Sequence, residues 1–150
     1  MIENDPGPVG PPIKPRALYV PPHKRKLNVA DTGCTGHFYS TDDPNVTNKQ
    51  PTNAPLQVHL ANDDTIVSTH TATLPFPKLP AKATEAHLFP SLTDTNLISI
   101  GKLCDADCTA VFTKDKVTVT TSEVDLDPAH TVLTGTRSPE TNNLWHVPHP

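Results

Sequence analysis

The chain has 150 residues, of which 18 are proline and 6 glycine, with aromatics at 5% and a formal net charge of −4. That length suits one small domain with flanking segments, the prolines exclude a helical bundle, and the charge excludes a broad basic surface for nucleic acid. Abundant threonine and valine favour pleated strands, so the predicted class is all-β or mostly β.

Residues 1–26 carry seven prolines and few large apolar side chains. Such a segment buries too little surface to offset its ordering entropy, which predicts a disordered Pro-rich lead-in. The run His23-Lys24-Arg25-Lys26 is the one local basic exception. It is expected to be a solvated hinge, with direct nucleic-acid contact through Lys24 to Lys26 as the lesser alternative. The first 14 residues contain no apolar run of the kind a signal peptide needs, and the three cysteines make an odd number. Both features predict a reducing, cytoplasmic setting without a disulfide framework. No stretch is long and apolar enough for a bilayer, so no membrane partner is expected.

Composition changes at Leu27-Asn28-Val29-Ala30, the first predicted strand, which runs into Asp31-Thr32-Gly33. A strand pair is predicted within residues 56–74. Leu56, Val58 and Leu60 alternate with polar neighbours, Asn62-Asp63-Asp64 supplies turn chemistry, and β-prone sequence resumes at Thr65. Pro75, Pro77 and Pro80 then forbid a central strand. A strand around Ala86-His87-Leu88-Phe89 and an apolar stretch Leu97-Ile98-Ser99-Ile100, ended by Gly101, come next. One or two helical turns are predicted over residues 102–107. A hairpin is predicted to join Thr109-Ala110-Val111-Phe112 to Val117-Thr118-Val119 through Lys114-Asp115. From Thr136 the tail reads as the start of a downstream segment.

The sharpest chemical signal is Asp31-Thr32-Gly33. Two carboxylates sharing one proton can hydrolyse an amide without metal or side-chain nucleophile: one takes a proton from water while the other donates to the carbonyl oxygen. Gly33 lets backbone approach a substrate, and the Thr32 hydroxyl can bond within a buried loop. By itself the tripeptide is as compatible with an ordinary turn aspartate. The chain holds no second Asp-Ser/Thr-Gly. One copy yields one carboxylate, so the chemistry demands a homodimer with one Asp31 from each chain.

The eight histidines lie scattered without ligand spacing, and Cys104 and Cys108 lack a second pair, so no metal and no cofactor are expected. The two thiols are predicted to be buried and inert. His37, close to Asp31 in sequence, has no nucleophile motif to serve and is read as structural.

Asp31-Thr32-Gly33-Cys34-Thr35-Gly36-His37-Phe38 resembles the active-site loop of the retropepsin-like aspartic proteases in copia-type retrotransposon polyproteins. Ala86-His87-Leu88-Phe89-Pro90-Ser91-Leu92, followed by Asn96-Leu97-Ile98-Ser99-Ile100-Gly101-Lys102-Leu103-Cys104, is similar to a later stretch of the same family, and Cys108-Thr109-Ala110-Val111-Phe112 continues the likeness. The resemblance spans roughly residues 29–119. It implies a closed, barrel-type retropepsin-like fold with one short helix over residues 27–123, after a lead-in over 1–26 and before a linker or pre-integrase start over 124–150. It implies Asp31 as the catalytic dyad residue, with Thr32 bonding across the dimer, and Gly33 and Thr35 supporting the loop. Ile100-Gly101 would be the hydrophobic-glycine element packed behind that loop. A flap would be built from residues 60–68 with Asn62, Asp63 and Asp64 at its tip, where the family often has glycine. Cys34 stands where alanine or serine is usual.

The function so implied is an aspartic endopeptidase that processes its parent polyprotein inside a cytoplasmic virus-like particle, with the polyprotein peptide as substrate and a second copy as partner. Two rival readings are a catalytically inactive, decayed domain that dimerises or binds peptides, and a nucleic-acid-binding fragment resting on the basic cluster.

Overall fold

The computed structural model describes residues 27–150. The Pro-rich lead-in and the Lys24 to Lys26 cluster lie outside the described residues. The described residues form twelve strands and one α-helix: β1 (Leu27–Asp31), β2 (His37–Ser40), β3 (Thr47–Pro51), β4 (Gln57–His59), β5 (Thr65–Val67), β6 (His70–Thr73), β7 (Glu85–Phe89), β8 (Thr95–Ser99), α1 (Ile100–Asp105), β9 (Thr109–Phe112), β10 (Val117–Thr120), β11 (Thr136–Arg137) and β12 (Trp145–His146). Six strands make one sheet in the order β1-β8-β2-β7-β6-β3, and three separate two-stranded hairpins, β4-β5, β9-β10 and β11-β12, surround it. The class is mostly β with one short helix, as the composition predicts. Among the described residues the expected barrel closure is not found: β1 and β3 are the two edges of an open sheet. Its edges are too unlike to join, because Pro51 removes a ladder donor from β3 and a register shift between Thr47 and Gln50 bends that strand.

The position of β8 decides the architecture. It runs parallel to β1, from Leu27 opposite Thr95 to Asp31 opposite Ser99, and antiparallel to β2 at Phe38 opposite Leu97. Chain neighbours β1 and β2 are thus separated by a strand that arrives much later in sequence. The loop between them, residues 32–36, must cross the end of β8 and span two inter-strand spacings, about 9.5 Å. A buried amide locks the insertion. Asn96, fully buried in β8, accepts from Ser40 N–H at 2.8 Å and donates to Asp43 Oδ2 at 2.7 Å and to Asn28 Oδ1 at 2.8 Å. These bonds tie β8 to its flanking strands and to the turn after β2.

Alternation along β2 distributes the core. Tyr39 points into a cluster with Ala72, Leu74, Ala86 and Leu88. Phe38 points the other way, into a cluster with Ile66 and Phe89, and meets the Phe89 ring edge-on at 5.1 Å between centroids. The underside of the β4-β5 hairpin, through Leu56, Val58 and Leu60, packs on that second cluster. A third cluster gathers Ile100, Leu103 and Ala106 of the α1 region with Ala83 and Cys108. The predicted helix begins two residues before its expected start, because Ser99 acts as its N-cap and accepts from Lys102 N–H.

Replacing Asn96 with leucine strands a Ser40 amide and a buried Asp43 carboxyl without their partner. We expect urea denaturation to register a loss of roughly 2–4 kcal/mol, whereas alanine at the exposed Gln50 changes the midpoint little.

Candidate active site

Asp31 is the last residue of β1, level with Ser99 where the two parallel strands end. Its Oδ1 accepts the Gly33 N–H at 2.7 Å, an Asx-type turn that reverses the chain immediately after the strand. Thr32, Gly33 and Thr35 are exposed, and Cys34 is half-buried. The loop is anchored from beneath by Ser99. The buried Ser99 hydroxyl donates to the Cys34 carbonyl and accepts the Lys102 N–H at 3.0 Å, so one oxygen both holds the loop and caps the helix.

His37 supplies the second anchor. Its ring is fully buried at the start of β2, with Nε2 2.8 Å from the Ala83 carbonyl and Nδ1 3.0 Å from the Ser99 N–H. A carbonyl can only accept and an amide N–H can only donate here, so the ring is the neutral tautomer protonated at Nε2. Burial pushes its pKa down to about 4, with Lys102 and His87 nearby and the Ala83 carbonyl opposing. His37 is therefore structural, as the sequence reading has it. Sequence reasoning missed Ser99; its signal was a serine just before Ile100-Gly101-Lys102, an N-cap pattern.

Ile100 and Gly101 are buried in the first turn of α1, and Ile100 shares a cavity of about 410 Å³ with Thr32. A Cβ on Gly101 would lie 2.8 Å from Arg137 Nη2, so the missing side chain is what lets that guanidinium lie against the helix. Arg137 also forms a two-pronged pair with Asp105 at 3.0 and 3.2 Å, which holds the Asp105 carboxyl below its ordinary range.

Asn62, Asp63 and Asp64 form the tip of the β4-β5 hairpin. Leu60 N–H donates to Asp64 O at 2.8 Å and Asp63 N–H to Leu60 O at 3.1 Å, while Asp63 takes a φ of 68°. This is a three-residue hairpin loop with a left-handed third position, and aspartate fills the place a glycine often takes. Asn62 stiffens it by accepting the Asp64 N–H at 3.1 Å.

The hairpin and the Asp31 loop enclose one groove of about 940 Å³, with Asp31, Gly33, Cys34 and Thr35 along one wall and Leu56, Val58, Leu60 and Ile66 along the other. A carboxylate thus faces an apolar wall in a space large enough for a short extended peptide. Cys34 is no nucleophile here. Burial, helped by the Asp31 charge, pushes its thiol up to about 11, and its sulfur donates to the Gly36 carbonyl. Cys104 is half-buried and Cys108 buried, both as free thiols. Among the described residues no three His, Cys, Asp or Glu side chains gather as a metal site would, and no helix is long and apolar enough to cross a membrane. No protein-family model, curated protein or solved structure matches the chain.

His37 makes stability fall in acid. Its folded pKa near 4 lies below the ordinary 6.5, so between these values the unfolded chain binds the extra proton and gains the advantage. From neutral pH down to about 4 this group removes up to about 3 kcal/mol of unfolding free energy. Urea titrations at several pH values check this, and His37→Gln is expected to be less stable at pH 7 but to lose less on acidification.

Proposed function

We propose that this chain is an aspartic endopeptidase domain that cleaves as a homodimer, each copy contributing Asp31. One observation carries the reading: a single carboxylate at a strand end faces a peptide-sized groove roofed by a β-hairpin. The loop sequence and the hydrophobic-glycine pair at Ile100-Gly101 lend further support, as features that the resemblance to copia-type retropepsin-like proteases implies. So does β1, an edge strand that exposes Leu27 and Val29 and, among the described residues, has a neighbour on one side alone. A second copy related by a twofold axis is the simplest source of the missing carboxylate.

In the reaction, one Asp31 carboxylate accepts a proton as water oxygen attacks the scissile carbonyl carbon. The protonated Asp31 of the other chain donates to the carbonyl oxygen, giving a neutral tetrahedral diol. Its collapse breaks the C–N bond: the departing nitrogen takes a proton from the first Asp31, a diol hydroxyl returns one to the second, and the dyad ends with the single proton it began with. The hairpin supplies the apolar cover that excludes bulk water, and its backbone edge aligns the peptide in extended form. The substrate is the polyprotein to which this domain belongs, processed within an assembling retrotransposon particle in the cytoplasm. Because the dyad must hold one proton, cleavage follows a bell-shaped pH profile on the acidic side of neutral. Its acid side is steepened by the loss of stability at His37.

Asp31→Asn keeps the Gly33 contact nearly isosteric and removes the charge. Processing of a longer precursor should then fall by about 10³-fold or more, with thermal unfolding little changed. Equal processing by mutant and parent would instead mean a peptide-binding domain that does not cut.

A further inference from the structure

Resting on the dimeric reading above, we infer that residues 136–147 form an intramolecular clamp on the face of the Asp31 loop that a second copy must reach, so that clamp docking and chain pairing exclude one another. Two carboxylates that share a proton must come within hydrogen-bonding distance, which brings the two Thr32-Gly33 turns together. In this chain that approach is already taken. Leu144 Cδ2 lies 3.8 Å from where a Gly33 Cβ would stand, Trp145 shares the cavity beside Thr32, and Asn142 lines the groove that contains Asp31.

Arg137 is the pin. Its guanidinium rests on Gly101, pairs with Asp105 at 3.0 and 3.2 Å, donates from Nε to the Asn143 carbonyl at 2.9 Å and stacks 4.9 Å from the centre of the Trp145 ring. One side chain thus joins the helix end to both limbs of the β11-β12 hairpin. The segment is a plug and not a substrate. Asn142 and Asn143 take consecutive positive φ values of 55° and 60° after a 3₁₀ turn at Pro139–Thr141, a curl that cannot lie in a groove as an extended strand. Successive left-handed residues are costly without tertiary support, so the shape depends on its seat.

The clamp can also leave. Residues 121–135 contain no strand, with Leu126, Val132 and Leu133 exposed, and no residue of 136–147 belongs to the three core clusters, so its release leaves them intact. Cutting or displacing this connection in a longer chain would free the Asp31 loop for pairing, which makes maturation depend on events downstream of the domain.

The test uses the full chain with Arg137→Ala and, separately, Gly135→Ala, whose new Cβ would meet the His146 backbone oxygen at 2.6 Å and unseat the hairpin. Sedimentation velocity is expected to report a dimer dissociation constant lowered about fivefold or more in each, with peptide cleavage rising in step. Should Arg137→Ala lose its circular dichroism signal, Gly135→Ala carries the test. Unchanged self-association in a folded variant overturns the clamp, whatever the cleavage assay reads. Tighter pairing without cleavage sensitive to Asp31→Asn upholds the clamp and removes the endopeptidase reading.

Discussion

The hydroxyl of Ser99 does more for this fold than its size suggests. It lies where β8 ends between β1 and β2, donates to the Cys34 carbonyl and receives the Lys102 N–H in the first turn of α1. Its own backbone N–H is spent on His37. Without these bonds the crossing loop has no floor, Asp31 has no fixed height above the sheet, and Ile100-Gly101 has no helix to begin. A buried neutral histidine and a buried amide, His37 and Asn96, extend the same polar seam across β2 and β8. Such a seam specifies one arrangement because each member is satisfied only in that arrangement.

The dependence carries through to chemistry. Under the proposed endopeptidase reading, a carboxylate held at a strand end beside an apolar roof would be half of a hydrolytic site. The half-site also explains why the face around Gly33 and Thr32 matters more than its exposed polar residues suggest. Whatever covers that face, the chain's own Leu144 or another copy, decides whether two carboxylates can meet. Gly101 serves that cover directly, since it lacks a side chain where Arg137 approaches.

Much of this was legible in the sequence, for local reasons. Leu56, Val58 and Leu60 alternate because one face of β4 and its flanks is apolar, and the hairpin Thr109–Phe112 with Val117–Thr120 declares itself through Lys114-Asp115. The loop aspartate and the turn at Asn62-Asp63-Asp64 were marked by residue type. By contrast β2 went unread: His37-Phe38-Tyr39-Ser40 is buried on both faces and shows no alternation. β3 is polar, exposed and ends in proline, and it is a strand through its pairing with β6. The expectation of a closed barrel failed because closure is a property of edges, and no local pattern revealed that Pro51 and a register shift would spoil one of them. The C-terminal hairpin was missed for a related reason, since Arg137 needs Asp105 and Gly101, both more than thirty positions away.

The central claim is that cleavage requires Asp31 from two chains at once. Mixing the full chain with its Asp31→Asn variant at fixed total concentration, letting subunits exchange and measuring peptide cleavage tests it most directly. If mixed pairs are inactive, activity falls as the square of the unmutated fraction. A linear fall would mean that one chain cuts alone, and would contradict the account.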